Sequence, residues 1–426
     1  MQPFIAAMLK VRQAFYAAII RSLLRTKSLL QSILNIWISP SIIKGGNVES
    51  EESVKIDSVV RQLKGIEFFD WMAARIEDTL SGQSKSYAMS DEPLSMGMSW
   101  SFPIQQTSLR SGLLLGMGKG FLSAHGLLGQ DLGDLIQDAC SRRGLNLRLN
   151  AIVNDSSATL LSKAYLDSTT RFALILGTGV NAAVHLPVHI FSAPKFGIRP
   201  PEWHDSAKHV IVNTELSMFG EGILPYTRWD EALLKAHPNP KFQPLEHFVS
   251  GGYLGEIARL ALLEGIQTTG LFGGVVPPSL RERYSLETET LSRIESDDSP
   301  TLSTALQIFV SRHPSTHVPT NADLQALRLI SAHVAHRAAG CVAAGVHALW
   351  ELRNEADDIP AGELEHTLVA YNGSVMENYP GFKKTCQERL DHLVEASGGK
   401  AGVVELVYAE ESSLLGAAVA VACLDG

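Results

Sequence analysis

The sequence predicts an α/β protein of two lobes, and three observations carry the prediction. At 426 residues, 45% of them hydrophobic, the chain is too long for one comfortable core. Apolar runs of strand length alternate with segments of helical rhythm. Several strand-like runs end in small or Gly-rich turns, where an α/β sheet presents its ligand sites.

Along the chain, residues 1–44 hold six basic residues (Lys10, Arg12, Arg21, Arg25, Lys27, Lys44) and no acidic one. Val11, Phe15, Ile19 and Leu23 give this segment an amphipathic helix ending before Pro40. Such a helix either docks on the body or acts as a transit peptide or membrane-surface helix, and the uncharged run 28–43 is too short and interrupted for a span. The stretch 45–52, GGNVESEE, reads as a linker. A helix over Ile66–Leu80 and a short strand over Met96–Phe102, cut off by Pro103, come next. A helix follows around Asp131–Arg143, then strands at Leu147–Val153 and Phe172–Leu176. Residues Leu245–Leu263 and Asp323–Trp350 read as helices, and the Gly-, Pro- and Ser-rich stretch 268–300 between them as a surface excursion. Strands at Thr367–Tyr371 and Val403–Tyr408 complete the pattern, the second preceding a helix of small residues.

The net charge of −9 leaves no basic surface to neutralise a nucleic-acid backbone, and outside residues 1–44 the 30 basic and 45 acidic residues carry −15. Cys140, Cys341, Cys386 and Cys423 are scattered with no metal-site spacing, which fits buried small hydrophobes in a reducing compartment.

Three junctions have the composition of phosphate-binding turns: Gly177-Thr178-Gly179, Asn372-Gly373-Ser374 and Ser412–Gly416. Backbone N–H groups approach an anion closely there, and a following helix adds its dipole; structural turns have the same composition. Asn154-Asp155 ends an apolar strand. Its carboxylate suits a general base for a hydroxyl proton, with the amide as an orienter, and a helix N-cap is the competing reading. Glu215 and Glu246 suit sugar hydroxyls, or ordinary surface carboxylates and caps.

Taken in order, these segments resemble the hexokinase family. The stretch SWSFPIQQTSLRSGLLLGMGKGF (99–121) is similar to its sugar-binding signature, and VNDSSATL (153–160), LILGTGVNAA (174–183), NTELSMFG (213–220) and LPYTRWD (224–230) follow co-linearly. FQPLEHFVSGGYLGEIARL (242–260), LSRIESDDS (291–299) and YNGSVMENYPGF (371–382) continue the match, in a form nearest to fungal-type glucokinases. The resemblance implies a two-lobed actin-like, ribonuclease H-like ATPase fold. It divides the chain into a basic N-terminal segment (1–45), a small lobe (46–200) with its N-terminal part truncated, and a large lobe (201–426) whose last segment returns to the small one. It implies an enzyme that transfers the γ-phosphoryl group of ATP, with Mg²⁺, to the 6-hydroxyl of glucose or a related hexose. The implied sugar pocket is Ser101, Lys119, Asn154, Asp155, Asn181, Glu215 and Glu246, with Asp155 as base and Lys119 balancing charge at the transferred group. Gly177, Thr178, Gly179, Gly373, Ser374 and Ser413 would meet ATP. A cytoplasmic place follows, with mitochondrial or membrane contact through residues 1–44 as the alternative. A mistranslated segment 1–44 is another.

Four departures set up a rival reading. In place of the family's DLGGTNxR stands Lys44-Gly45-Gly46-Asn47, and the spacing to the next helix is too short to contain the usual strand meander, which predicts an ATP-side lobe lacking edge strands. Gly118 replaces a threonine, Asn372 the aspartate of DGS, and EESSLLGAA (410–418) a DGSGKGAA-like segment. The rival is a sugar-binding regulator of the same fold that transfers phosphate poorly or not at all.

Overall fold

The structure, a computed structural model, describes residues 13, 15, 37–38, 41–44, 47–51, 54–81, 92–117, 121–196 and 201–424. These fall into two compact units. The first runs from Thr26 to Ala173, takes in Ala182–Glu215 and resumes at Ala409; the second comprises Leu174–Asn181 and Leu216–Tyr408. Of the expected N-terminal helix, only Gln13 and Phe15 are described; both are helical, and Phe15 is fully buried. The rest of that helix lies outside the described residues.

Strands β1 (Trp37–Ile38), β2 (Ser41–Lys44), β3 (Asn47–Glu51) and β4 (Val54–Lys55) follow one another, with β2 antiparallel to β3 and β1 to β4. The linker expected over 45–52 is therefore largely strand. Lys44 pairs with Asn47. Four of the five residues of β3 are polar, so its composition does not announce a strand. Strands β3 and β4 thus lie in the stretch expected to be too short for the meander.

Helix α1 (Ile66–Ser81) buries Phe68, Phe69, Met72 and Ala73 along one stripe. Around it an aromatic cluster closes the core of the first unit: Phe68 meets Phe121 edge-on at 5.7 Å and Phe69 stacks on Trp100 at 6.4 Å. Each such ring is worth about 1.5–3 kcal/mol by burial. Next come β5 (Leu94–Ser99) and the hairpin β6 (Ile104–Ser108) and β7 (Ser111–Leu114). Helix α2 (Leu132–Arg142) is capped by Asp131, which accepts from Gly133 N at 2.8 Å. Strand β8 (Leu147–Val153) runs parallel to β5 and feeds helix α3 (Asp155–Leu166). The strand expected over 96–102 stops at Ser99, where Trp100 N makes the last bond, to Val153 O at 2.8 Å.

Strands β9 (Thr170–Leu176) and β10 (Val180–Pro187) flank Gly177-Thr178-Gly179, and β11 (His209–Asn213) pairs antiparallel with the later part of β10. In the second unit lie α4 (Arg228–Ala236), α5 (Pro244–Val249) and α6 (Leu254–Thr269). The single helix expected over 245–263 is thus two, broken at Ser250-Gly251-Gly252-Tyr253. The expected surface excursion over 268–300 is instead tied into the core. It holds α7 (Thr288–Glu295), with Thr290, Leu291 and Ile294 buried, and Leu280 and Leu286 are buried too. The buried pair Glu256–Arg259 on α6 anchors it: Arg259 Nη1 donates to Leu280 O at 2.7 Å and Glu256 Oε2 accepts from Tyr284 N at 2.6 Å. Loop-like composition cannot announce a partner of that kind.

After α8 (Ser303–Arg312) comes α9 (Asn321–Ala356), opened by a capping box between Thr320 and Asp323. Every residue from Ala338 to Trp350 is buried. Among the described residues α9 is the one helix long and apolar enough to cross a membrane, but the same test admits a buried core helix. Strand β12 (Thr367–Asn372) runs parallel to β13 (Val404–Tyr408), with α10 (Phe382–Ala396) between them packed on α9. Back in the first unit, α11 (Ser412–Ala422) packs on α3. The thiols of Cys140, Cys341 and Cys386 are free and buried, their pKa values pushed up by burial to about 11, 12 and 12, while Cys423 is exposed.

Candidate functional site

In the first unit the expected residues gather where β8 becomes α3. Asn154 is the helix cap: its side-chain oxygen accepts from Ser156 N at 2.9 Å and from Ser156 Oγ at 2.7 Å. The amide therefore takes the cap position, and its donor Ser156 N is shared with the carboxylate that follows. Asp155, only 5% exposed, accepts from Ser101 Oγ at 2.9 Å through Oδ2 and from Ser156 N at 2.7 Å through Oδ1. Both donors, and the positive end of α3, complement an anionic carboxylate.

A second side-chain pair stands at the end of β11. Asn213 Nδ2 donates to Glu215 Oε1 at 2.8 Å, and Ser156 Oγ reaches Asn213 Oδ1 at 3.5 Å. Glu215 adopts a left-handed backbone, φ 52°, rare for a glutamate. Thr214 beside it is fixed to Ala182 O through both N and Oγ1, at 3.0 and 2.8 Å. Ser101, Asn154, Asp155 and Glu215 thus belong to one hydrogen-bonded neighbourhood, with Ser156 and Asn213 as unforeseen members. Asn213 opens the quoted NTELSMFG segment, but nothing in its type marked it out. Lys119 lies outside the described residues, as does Gly118.

The second unit gathers the glycine turns. Gly177 N bonds Gly179 O at 2.9 Å, and Gly251 N and Gly252 N donate to Gly177 O and Thr178 O at 2.8 and 3.1 Å. Gly373 and Ser374 come against this turn: a Cβ built on Gly177 would sit 3.4 Å from Ser374 N, and one on Gly373 only 2.5 Å from Leu176 backbone. Gly373 has φ 118°, so its lack of a side chain is needed twice over. Close backbone packing of this kind fixes the path of the turns, and Gly373 N is itself engaged, donating to Glu377 Oε1 at 2.6 Å. Gly251 and Gly252 were hidden by the apparent continuity of one helix.

Asn181 and Glu246 are also in this unit, 2% and 5% exposed. Glu246 Oε2 accepts from Val180 N at 3.3 Å and Asn181 Oδ1 from Leu216 N at 3.3 Å. Behind Glu246 lies a ring cluster, with His237, His247 and Tyr253 centroids 4.3–5.8 Å apart. Burial, then the neighbouring His237, pulls the His247 pKa down to about 4, and burial, then the Glu246 charge, pushes that of Tyr253 up. His247 therefore stays neutral around pH 7.

The third expected turn, Ser412–Gly416, is corrected. The chain turns at 409–411 and is already helical at Ser412. Gly416 lies within α11, where a Cβ would fall 2.0 Å from Ala158 O of α3, so this glycine serves helix contact. Ser413 is half-buried at the second position of α11.

Two family models, both described as hexokinase, match this chain, one over residues 37–165 and the other over 171–423. Hexokinase-2 of Oryza sativa subsp. japonica is 31% identical over 385 residues, covering 88% of this chain and 74% of its own. Chloroplastic hexokinase-2 of Nicotiana tabacum is 32% identical over 329 residues, 76% of this chain and 62% of its own. Among solved structures, a Schistosoma mansoni hexokinase complexed with glucose superposes with a TM-score of 0.79 at 24% identity, covering 98% of this chain and 96% of that one.

Proposed function

This chain belongs to the hexokinase family, and from that premise we propose that Asp155 is the base of an ATP-dependent hexose kinase acting on the 6-hydroxyl of glucose or a related hexose. The observation that carries the reading is the buried Asp155 carboxylate, held by Ser101 Oγ and by Ser156 N, a donor it shares with the cap residue Asn154. A carboxylate so solvated takes the hydroxyl proton once attack on phosphorus has made it acidic, and returns it to water after the product leaves. Asn154, Asn181, Glu215 and Glu246 would bind hexose hydroxyls, which need partners when buried. Lys119 would balance the charge of the transferred group.

ATP would meet the backbone of Gly177-Thr178-Gly179 and Gly373-Ser374, and Ser413 at the start of α11. Among the described residues no group of three or more His, Cys, Asp or Glu side chains is placed to hold a metal ion. The Mg²⁺ that the family implies would be carried by phosphate oxygens and water and would neutralise charge on the phosphates. The substitutions at Asn372 and Glu410–Ala418 bear on this half of the reaction.

The test is sugar-dependent ADP release by the purified protein with ATP and Mg²⁺ across a panel of hexoses. Turnover abolished by Asp155→Ala supports the reading; hexose binding without turnover at high enzyme concentration replaces it with the sugar-binding regulator. For location we propose a cytoplasmic protein, with organelle or membrane association through residues 1–44 as the variant. A reporter fused after residue 44 tests it, a diffuse signal removing the association.

A further inference from the structure

We propose that Arg337 is a positioning residue for Glu246, acting through the ring of Phe248; the proposal rests on the hexose-binding role given to Glu246 above. Arg337, on α9, donates from Nη1 and Nη2 to Asp230 Oδ2 and Oδ1 at 2.6 and 2.8 Å. Its guanidinium carbon lies 3.9 Å from the centroid of the Phe248 ring. One planar cation thereby grips a carboxylate along its edge and an aromatic ring across its face.

Both partners are themselves fixed. Asp230 is the third residue of α4 and closes its capping box, accepting from Thr227 N at 2.7 Å and Thr227 Oγ1 at 2.6 Å. Phe248 is 1% exposed and follows Glu246 by two residues on α5. That helix has six residues, all buried, and its entry residue Gln243 is left-handed at φ 53°. A helix so short cannot set its orientation by its own hydrogen bonds and takes it from what surrounds it. At its start Leu245 N is tied to Phe219 O at 3.0 Å, and towards its end the Arg337–Phe248 contact holds the ring. A rotation of α5 would move the Glu246 carboxylate from Val180 N, which it accepts at 3.3 Å.

Lysine keeps the charge but has neither the flat face nor the fork. The test measures hexose Kd by calorimetry, hexose and ATP KM by ADP release, and the thermal midpoint, for Arg337→Lys, Phe248→Leu, Glu246→Gln and the double variant Arg337→Lys/Glu246→Gln in the full chain. Expected is a rise of about tenfold in hexose Kd and KM for either Arg337→Lys or Phe248→Leu, with ATP KM changed less than about twofold. In the Glu246→Gln background the Arg337→Lys change adds almost nothing to hexose Kd, the non-additivity of residues that act as one. A lowered midpoint with unchanged hexose Kd, or effects that multiply in the double variant, overturns the proposal. A wild type that binds hexose without turnover overturns the kinase reading alone and leaves the Kd series to decide for Arg337. One that binds no hexose overturns both.

Discussion

Asp155 and Gly177 each stand just past the end of a strand, yet they are held in different ways. Around Asp155, side chains bond side chains and backbone donors: Ser101 to Asp155, Ser156 to Asn154, Asn213 to Glu215. Around Gly177 the bonds run from main chain to main chain, through Gly251 and Gly252, with Gly373 pressed against Leu176. The first arrangement fixes the direction of a few polar atoms, which suits reading the hydroxyls of a polyol. The second fixes the path of the main chain, the course along which the proposed phosphate contacts would run. Substitutions near Asp155 should therefore change chemistry and hexose binding with modest effects on folding, whereas those at the turns should cost stability and ATP binding together.

The largest expected effect is that of Asp155→Asn, which keeps the shape and removes the base. A kcat loss of about 10²–10⁴-fold is the scale for a general base, with hexose binding largely retained; steady-state rates and hexose titration measure both. Next is Gly373→Ala, where positive φ and the nearby Leu176 backbone both oppose a side chain. About 1–3 kcal/mol of unfolding free energy should be lost, with ATP KM rising more than hexose KM; urea melts and two-substrate kinetics decide. If ATP KM stays put while the fold weakens, the turns are scaffold only.

A smaller effect belongs to pH. His247 has its pKa lowered from 6.5 to about 4, so the folded state resists the proton that the unfolded chain accepts. The stability gained from keeping it neutral is present above pH 6.5 and is lost as the pH falls from there through about 4. The slope approaches about 1.4 kcal/mol per pH unit within that window and flattens below it. His247→Asn should remove this share of the slope in melts at pH 7, 6 and 5. Smallest is Ser101→Ala, which removes one donor to Asp155 and should lower kcat/KM by the equivalent of about 1–2 kcal/mol. A larger loss than that of Asp155→Asn would mean that the comparison has the wrong residue at its centre.

Legibility followed the same divide. Strand β8 was read with its full bounds because Leu147–Val153 is an apolar run ending at a polar pair, a purely local signal. Asp155 and Glu215 were readable as carboxylates in a family pattern, and their type fits their surroundings. The break between α5 and α6 was not, because periodicity runs through SGGY and only its bonds to Gly177 and Thr178 require the interruption. Stretch 268–300 has loop composition but is held by the Glu256–Arg259 pair, a tertiary override of a local signal. In the third turn, Gly416 looked like phosphate chemistry and is a close helix contact, since both uses ask for the same missing Cβ.

That contact has a consequence for how the protein comes into being. Thr159 Oγ1 meets Ser412 Oγ at 2.8 Å across 253 positions of chain, and α11 lies on the helix that carries Asp155. On the ribosome α3 emerges long before its mate, so its small-residue surface waits, uncovered, while the intervening chain is synthesised. Completion of the first unit is then a late event of high contact order, slow compared with its local helices. Nascent chains stalled before Ser412 should hold the Asp155 helix in an unfinished unit.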